Sequence, residues 1–579
     1  MKKYLSLLLA SSLSVILAGC GGTKEEPKEN SSKEAVSSSE QKSGEEGNTY
    51  KAIDANTSAE LWVMTWSGDG QDHKDIGNNP LPEDEVTALN VGMLQGIAKA
   101  FNKKYPNIKI NLHTQVDDPA SGGTSWTEKI INFKETHGQY PDVWASFNII
   151  EDLNKGIVAD LSVFENDPDY QKLNPDLMNL MNYYGFQAGL PQYAIPWGVY
   201  VNRELANSKN IASPAVDWSW DEFTTFVSKA QSMCTVENAE VCGAYDASMM
   251  FPRGAFIERQ LQTTERGSEY KVDFATNEFL EAIELLPQQS KASALGALSG
   301  NVESSEAAAA YMNKGGYWGY NYFKDNQLLT YDGDPWMLFE SVKKGSTNYV
   351  NSNDWDIYPR PAFLDKDGEV VVDNHVGVCL DPMGLYNHAL DDNNPELSDA
   401  EYAKLNIAWT FAKFWIGDTE AWEAKANSHY RALNATTNEY YDCPAINDTF
   451  PVIKQGEDFD RQMEIWYSTE NHAPYADATK FKGFAKVVEL WSNGNIYGIS
   501  DKAFPRYYHL DGDSTNYSIL EKIDGYGNEE LVGVAISDPA WYSTYSALLK
   551  SINREVNGWY NKAFAEVKQT LTTYYGWEF

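Results

Sequence analysis

Apolar positions along this chain fall into short runs whose period switches between two and about 3.6. Glu60-Leu61-Trp62-Val63-Met64-Thr65-Trp66 is an apolar, β-prone run that reads as a buried strand, and Ser67-Gly68-Asp69-Gly70 breaks it. A long polar loop follows, to about Asp84. Val91, Leu94, Ile97, Ala98, Phe101 and Tyr105 then recur mostly at spacings of three and four, which predicts a helix with one buried face, and Pro106-Asn107 stops it. Ile108, Ile110 and Leu112 alternate with polar residues and read as a strand. Strand, helix, strand with no hairpin turn between is the pattern of a parallel α/β unit.

The rhythm continues. Trp126 to His137 reads as a helix, Pro141-Asp142-Val143-Trp144-Ala145 as a strand ending in Ser146-Phe147-Asn148, and Ile149 to Lys155 as a helix closed by Gly156. Ala194 to Asn202 is an extended segment that passes to a turn, and Ser219-x-x-Glu222 is a capping box opening a helix with Phe223, Phe226, Val227 and Ala230 on one side. Gly21 to about Thr57 is rich in Ser, Glu, Lys and Gly and has almost no large apolar residues. It cannot bury enough surface to offset its ordering entropy, so it is expected to be a flexible tether.

Charge and composition narrow the function classes. The formal net charge of -37 argues against nucleic-acid binding, which needs basic faces, and against binding of the body to an anionic membrane by its own charge. Aromatics are the outlier, with 18 Trp, 35 Tyr and 23 Phe in 579 residues. The excess of Tyr and Trp, which carry an apolar face and a polar tip, suits a wet surface that holds something flat and hydroxylated. Cys234 and Cys242 are close enough in sequence to pair in an oxidising compartment, while Cys379 and Cys443 read as buried thiols. No CxxC occurs and the eight His are scattered, so no zinc site and no cofactor is expected. Asp365-Lys366-Asp367-Gly368 and Asp511-Gly512-Asp513 offer oxygens for Ca²⁺ but fit no full EF-hand spacing, and Asp-Gly is first a turn former.

The first twenty residues set the compartment. Lys2 and Lys3 precede an almost uncharged run from Tyr4 to Ala18, too short to span a bilayer, and Leu17-Ala18-Gly19-Cys20 follows. This resembles a bacterial lipoprotein signal, cleaved before a lipid-modified Cys20; an ordinary cleaved signal with a chance Cys is the rival. The body also resembles a family. The carrying residues are, in order, the strand ending in Trp66, Phe101-Asn102-Lys103-Lys104-Tyr105-Pro106, Pro141-Asp142-Val143-Trp144, Ile195-Pro196-Trp197-Gly198-Val199-Tyr200-Val201-Asn202-Arg203-Glu204-Leu205 and Trp218-Ser219-Trp220-Asp221-Glu222-Phe223. Ala307 to Tyr322, Trp355 to Pro361 and Ala408 to Ile416 extend the match along the mature chain. This order is similar to that of the family 1 extracellular solute-binding proteins, the sugar-capturing receptors of ABC importers. The long Ser67 to Asp84 loop, the turn-rich 500–541 stretch and the lack of a double glycine in Val376 to Gly384 depart from the family pattern.

The resemblance implies an α/β, two-lobed periplasmic-binding-protein-like fold of class II type, with a hinge of crossing segments and a ligand cleft between the lobes. The corresponding division is a signal peptide at 1–19, a lipidated tether at 20–58, a first lobe from 59–195 and 378–450, and a second lobe from 196–377 and 451–579. It implies a substrate-binding lipoprotein at the outer face of the cell membrane, a monomer that hands a carbohydrate, of oligosaccharide size, to a membrane permease. A non-sugar solute in the same fold and a lipid-anchored glycoside hydrolase are the alternatives. No G-x-S-x-G elbow or P-loop is present, and Gly525-Tyr526-Gly527 lacks the last glycine of a dinucleotide motif. Ligands bind beyond the carboxyl ends of parallel strands. The candidate residues are therefore Trp66, Ser67, Asp69, Trp144, Phe147 and Asn148 from one wall, and Trp197, Tyr245, Asp246, Trp318, Tyr320 and Tyr322 from the crossing and the other. Trp62, Trp220 and Trp409, inside elements, are expected in the core.

Overall fold

The computed structural model describes residues 50–66, 68–115, 125–231, 242–244, 271–284, 323, 326, 328–331, 354–392, 394–434, 437–470, 472–496 and 540–579. Its first sheet is built on β1 (Ala59–Trp66), which pairs in parallel with β3 (Ile108–Gln115) and with β4 (Val143–Ala145). The crossovers are helices α1 (Leu89–Lys104) and α2 (Trp126–His137), as the switch of period predicts, and α3 (Ile149–Asn154) follows β4. β1 is buried on both faces, so its apolar run shows no alternation. The polar loop after β1 also contains a two-residue strand, β2 (Asp72–His73), on the outer edge of β3. With only two residue pairs on the ladder and no apolar side chain, β2 leaves no pattern to read.

Between β4 and the next long strand lies a small hairpin, β5 (Asn182–Tyr183) and β6 (Phe186–Gln187). Strand β7 (Leu190–Trp197) then lies at the far edge of the first sheet, and one residue later β8 (Val199–Asn202) belongs to a second sheet. The second sheet has the order β11-β8-β10-β9, from β9 (Cys242–Ala244), β10 (Leu328–Tyr331) and β11 (Trp355–Tyr358). After the hairpin β12 (Phe363–Leu364) and β13 (Val370–Val372), whose turn is Asp365-Lys366-Asp367-Gly368, the chain returns along β14 (Gly377–Leu385), antiparallel to both β4 and β7. The crossings between the two sheets run side by side: Trp197 pairs with Gly377, and Arg360 bridges His375. Gly198 stands where a Cβ would meet the Tyr358 carbonyl oxygen at 2.5 Å, so only glycine lets the chain pass from one sheet to the other there.

In the second sheet, alternation sorts β8: Val199 and Val201 join Trp218, Phe223, Phe226 and Val227 in a small core under helix α5 (Trp220–Gln231), while Tyr200 packs into the main core. The capping box at Ser219 and Glu222 opens α5, and the short helix α4 (Arg203–Ser208) precedes it. Trp62, Trp220 and Trp409 are buried, as expected of residues inside elements. Helix α6 (Asn277–Glu284) comes from the second sheet's side of the sequence; α7 (Asp399–Gly417) packs on β14 and α1, α8 (Thr419–Ala426) packs on α1, and a hairpin, β15 (His429–Asn434) and β16 (Glu439–Pro444), follows.

The chain after residue 450 divides its contacts rather than completing one lobe. Helix α9 (Glu457–Tyr467) packs on α8, whereas α10 (Lys482–Ser492) packs on β11. The last helix, α11 (Trp541–Tyr575), is 35 residues long, about 52 Å at 1.5 Å per residue. Near its end Thr570 meets Asn154 of α3 and the Tyr575 hydroxyl donates to the Val158 carbonyl at 2.6 Å. Nearer its start Asn553 donates to Asp273 at 2.6 Å and Asn557 exchanges two bonds with the backbone of Val272. Among the described residues no helix is long and apolar enough to cross a membrane.

Candidate functional site

Because β1, β3 and β4 are parallel, their carboxyl ends emerge on one edge of the first sheet, at Trp66, Gln115 and Ala145. Helices that follow such strands start at that same edge. Ser125 caps α2 through a reciprocal capping box with Glu128, which fixes Trp126 as the first helical residue. The Trp126 indole N–H donates to the Ala145 carbonyl at 2.6 Å, tying the helix start to the end of β4. Three rings thereby meet: Trp66 and Phe147 at 5.5 Å between centroids, edge to face, and Phe147 and Trp126 at 5.2 Å. All three are only partly buried. The result is a strip of ring faces and edges beyond the strand ends, with Asn90 donating to the Trp66 carbonyl at 2.8 Å to hold the strand end in place.

One buried carboxylate organises the wall behind the strip. Asp152 of α3 accepts from the Thr127 hydroxyl at 2.6 Å, the Ser146 hydroxyl at 2.6 Å and the Trp144 indole N–H at 2.9 Å. Those donors come from α2, from the loop after β4 and from β4 itself. Burial pushes the Asp152 carboxyl up to about 6, against the pull of its three hydrogen bonds. Ser146 in turn accepts from the Asn148 backbone N–H at 3.2 Å, and the Asn148 side chain caps α3 by accepting from Glu151 N–H at 3.2 Å.

These contacts sort the residues chosen from the sequence. Trp66 and Phe147 are brought together at the edge, and Asn148 stands beside them, partly exposed. Asp69 is exposed and serves the loop: it accepts from the Thr114 hydroxyl at 2.7 Å and lies 3.1 Å from His73 Nε2. Desolvation would raise the Asp69 carboxyl, but the bonds from Thr114 and His73 hold it below the usual value. Trp144 is a correction. It is fully buried in the core, its N–H is taken by Asp152, and its ring lies over Gly384, where a Cβ would come within 2.6 Å of it. It supports the wall rather than facing a ligand. Trp197 is mostly buried at the crossing, with the Arg360 guanidinium 5.7 Å from its ring centroid. Ser67, Tyr245, Asp246, Trp318, Tyr320, Tyr322 and Cys20 lie outside the described residues, as do Cys234 and Asp511 to Asp513.

Trp126 and Asp152 were not legible as site residues. For Trp126 a signal was present: Ser125-x-x-Glu128 places it at a helix start, and in a parallel unit a helix start lies at the ligand edge. Nothing in the sequence separates Asp152 from the many other carboxylates.

Residues 89–247 match the family model described as bacterial extracellular solute-binding protein, a stretch that includes Trp126, Phe147 and Trp197. No curated protein matches the chain. Among solved structures, the chain is similar to an ABC substrate-binding protein from Listeria monocytogenes in complex with cycloalternan, at 16% identity and TM-score 0.45, over 90% of this chain and 100% of that one. It is similar to a maltose-bound protein of T. maritima at 13% identity and TM-score 0.41, over 86% and 99%. A cyclic α-maltosyl-1,6-maltose binding protein from Arthrobacter globiformis gives 12% identity and TM-score 0.44, over 90% and 100%.

Proposed function

We propose, from the match of residues 89–247 to the bacterial extracellular solute-binding proteins, that this chain is the receptor of an ABC importer and captures an oligosaccharide between its lobes. The observation that carries the reading is the partly exposed strip of Trp66, Phe147 and Trp126 beyond the carboxyl ends of the parallel strands. Sugar rings have apolar C–H faces that aromatic faces cover, and hydroxyl rims that need polar partners. A buried donor left unpaired costs about 1–3 kcal/mol, so the second lobe, with Tyr245, Asp246, Trp318, Tyr320 and Tyr322, is expected to complete the polar contacts. A ligand touching both lobes has more affinity for the closed form, and only that difference can shift the open–closed balance. The closed form is what a permease reads. No chemistry is done on the sugar, the lipidated Cys20 holds the receptor at the outer face of the membrane, and one chain suffices.

The test is a titration of the purified protein with mono- and oligosaccharides, read by tryptophan fluorescence and by thermal midpoint, with release of reducing ends assayed in parallel. The expected result is a fluorescence shift and a raised midpoint with one class of oligosaccharide and no new reducing ends. A ligand at about 100 times its Kd adds about 2.7 kcal/mol, enough to see. A flat response across the panel sinks the sugar reading, and released reducing ends would make the protein a hydrolase. Trp318→Ala is expected to weaken binding without unfolding, and Cys20→Ser to release the protein from membranes.

A further inference from the structure

We propose that Asp72, His113 and His137 form a binding site for a divalent transition-metal ion of the zinc class, which cross-links edge strand β2, strand β3 and the end of helix α2. One donor atom from each of the three lies within 4.8 Å of the other two, the one such trio of His, Cys, Asp or Glu among the described residues. His113 Nδ1 stands 2.6 Å from Asp72 Oδ1, and His137 Nε2 stands 3.9 Å from the same oxygen. A tetrahedral ion with bonds of about 2.0–2.1 Å spaces its donors about 3.4 Å apart, so the two separations bracket the required one. Small side-chain rotations close the difference. The 3.9 Å gap is too long for a hydrogen bond, and it is the kind of gap that an ion spans.

The donor set selects the ion. Two imidazoles and one carboxylate suit zinc, copper, nickel or cobalt and do not suit calcium or magnesium, which take oxygen ligands. Three protein ligands leave a fourth position for water, and exposed Asp72 keeps that side open to solvent. The rings are held from behind. His137 stacks on Phe133 at 4.1 Å between centroids and lies 5.3 Å from the ring of Trp62; His113 meets the same Phe133 edge to face at 5.1 Å. Gln115 supplies the outer contact: its amide nitrogen is 2.7 Å from His113 Nε2. When Nδ1 binds a metal, Nε2 carries the proton and needs an acceptor, and a flip of the Gln115 amide provides one. Lys74, whose ammonium lies 3.5 Å from the Trp62 ring centroid, is the nearby cation that the Asp72 charge must offset. The three ligands come from positions 72, 113 and 137, so their spacing in sequence hides them; it is the fold that collects them.

The test uses tag-free full-length protein stripped with a chelator and then titrated with Co²⁺ and Zn²⁺, beside Asp72→Asn and His137→Gln. One equivalent of Co²⁺ is expected to give the visible absorption of a low-symmetry site, which Zn²⁺ displaces, and Zn²⁺ is expected to raise the thermal midpoint. Each variant should lose the Co²⁺ absorption and weaken Zn²⁺ binding by more than the roughly 10–100-fold typical of an outer contact alone. His137 is at the end of α2 and partly exposed, so the metal-free midpoint of His137→Gln should stay near that of the wild type, separating lost binding from lost folding. Absence of stoichiometric uptake by the wild type, or uptake by both variants equal to that of the wild type, overturns the site and leaves Asp72–His113 as a simple pair pinning β2.

Discussion

Asp152 gives the sharpest test of how the ligand edge is built. Replacing it with Ala strands three donors, the Thr127 and Ser146 hydroxyls and the Trp144 indole N–H, at a cost of about 1–3 kcal/mol each, so about 3–9 in all. Against this, the substitution removes a buried carboxylate. Its value of about 6, against an ordinary 3.8, means that holding it ionised in the fold costs about 3 kcal/mol at neutral pH. Asp152→Ala is therefore expected to destabilise by about 3 kcal/mol, the middle of the roughly 0–6 kcal/mol left when the two are set against each other. Asp152→Asn behaves differently. Its amide oxygen can replace Oδ2 toward Trp144 and Ser146, and the Thr127 hydroxyl can turn to accept from the amide nitrogen, so the change should stay within about 1 kcal/mol. The pH dependence fixes the sign. A carboxyl raised by folding favours the folded state below its unfolded value, and that contribution is lost as pH rises through about 6. Asn carries no such loss, so the stability of Asp152→Asn relative to the wild type should improve by about 1 kcal/mol between pH 5 and pH 7. Urea unfolding of the three proteins at both pH values reads all of this. Equal destabilisation by Ala and Asn, or an Asn difference that does not move with pH, refutes the hub.

Other outcomes follow from the same kind of reasoning. Trp126→Ala should weaken saccharide binding about tenfold or more in a fluorescence or calorimetric titration and, with the bond to Ala145 lost, cost about 1 kcal/mol of stability; unchanged affinity removes the ring strip from the site. Lys425 is buried beside Trp422, and desolvation lowers its ammonium to about 7, so its penalty is fully present below about pH 7 and is relieved as pH rises from there toward 10.5. Lys425→Met should accordingly stabilise the protein at pH 7 by a few kcal/mol, about 3 kcal/mol more than at pH 9.5, in denaturant unfolding. Asp356 of β11 accepts the Gly483 and Phe484 N–H groups at the start of α10, at 2.9 and 3.0 Å, and receives Arg203. Asp356→Ala should cost about 2–3 kcal/mol and speed hydrogen exchange at the start of α10 before the first sheet is affected.

The local elements were readable because each apolar run has a single period, and β1, α1, β3, α2 and α3 fall where the pattern puts them. Periodicity does not report a change of sheet. Ala194 to Asn202 reads as one extended run, although Gly198 divides it between two sheets. Trp66 and Phe147 could be placed together from the sequence because each stands at the carboxyl end of a parallel strand. Trp144 was misplaced for a related reason: a strand buried on both faces has no alternation to show which side chain points inward. Asp152, His113 and His137 act through neighbours 6 to 65 positions away, from Ser146 to Asp152 and from Asp72 to His137, and no short pattern records such distances.

The single residue between β7 and β8 leaves the hinge without slack. Trp197 is still on one ladder and Val199 is already on the other, so bending there cannot be shared along a loop. It falls on a few torsions around Gly198, whose neighbours in space are Ile357 and the Tyr358 carbonyl. At this crossing, any movement of one sheet against the other is confined to those few torsions, with no length of loop to absorb it.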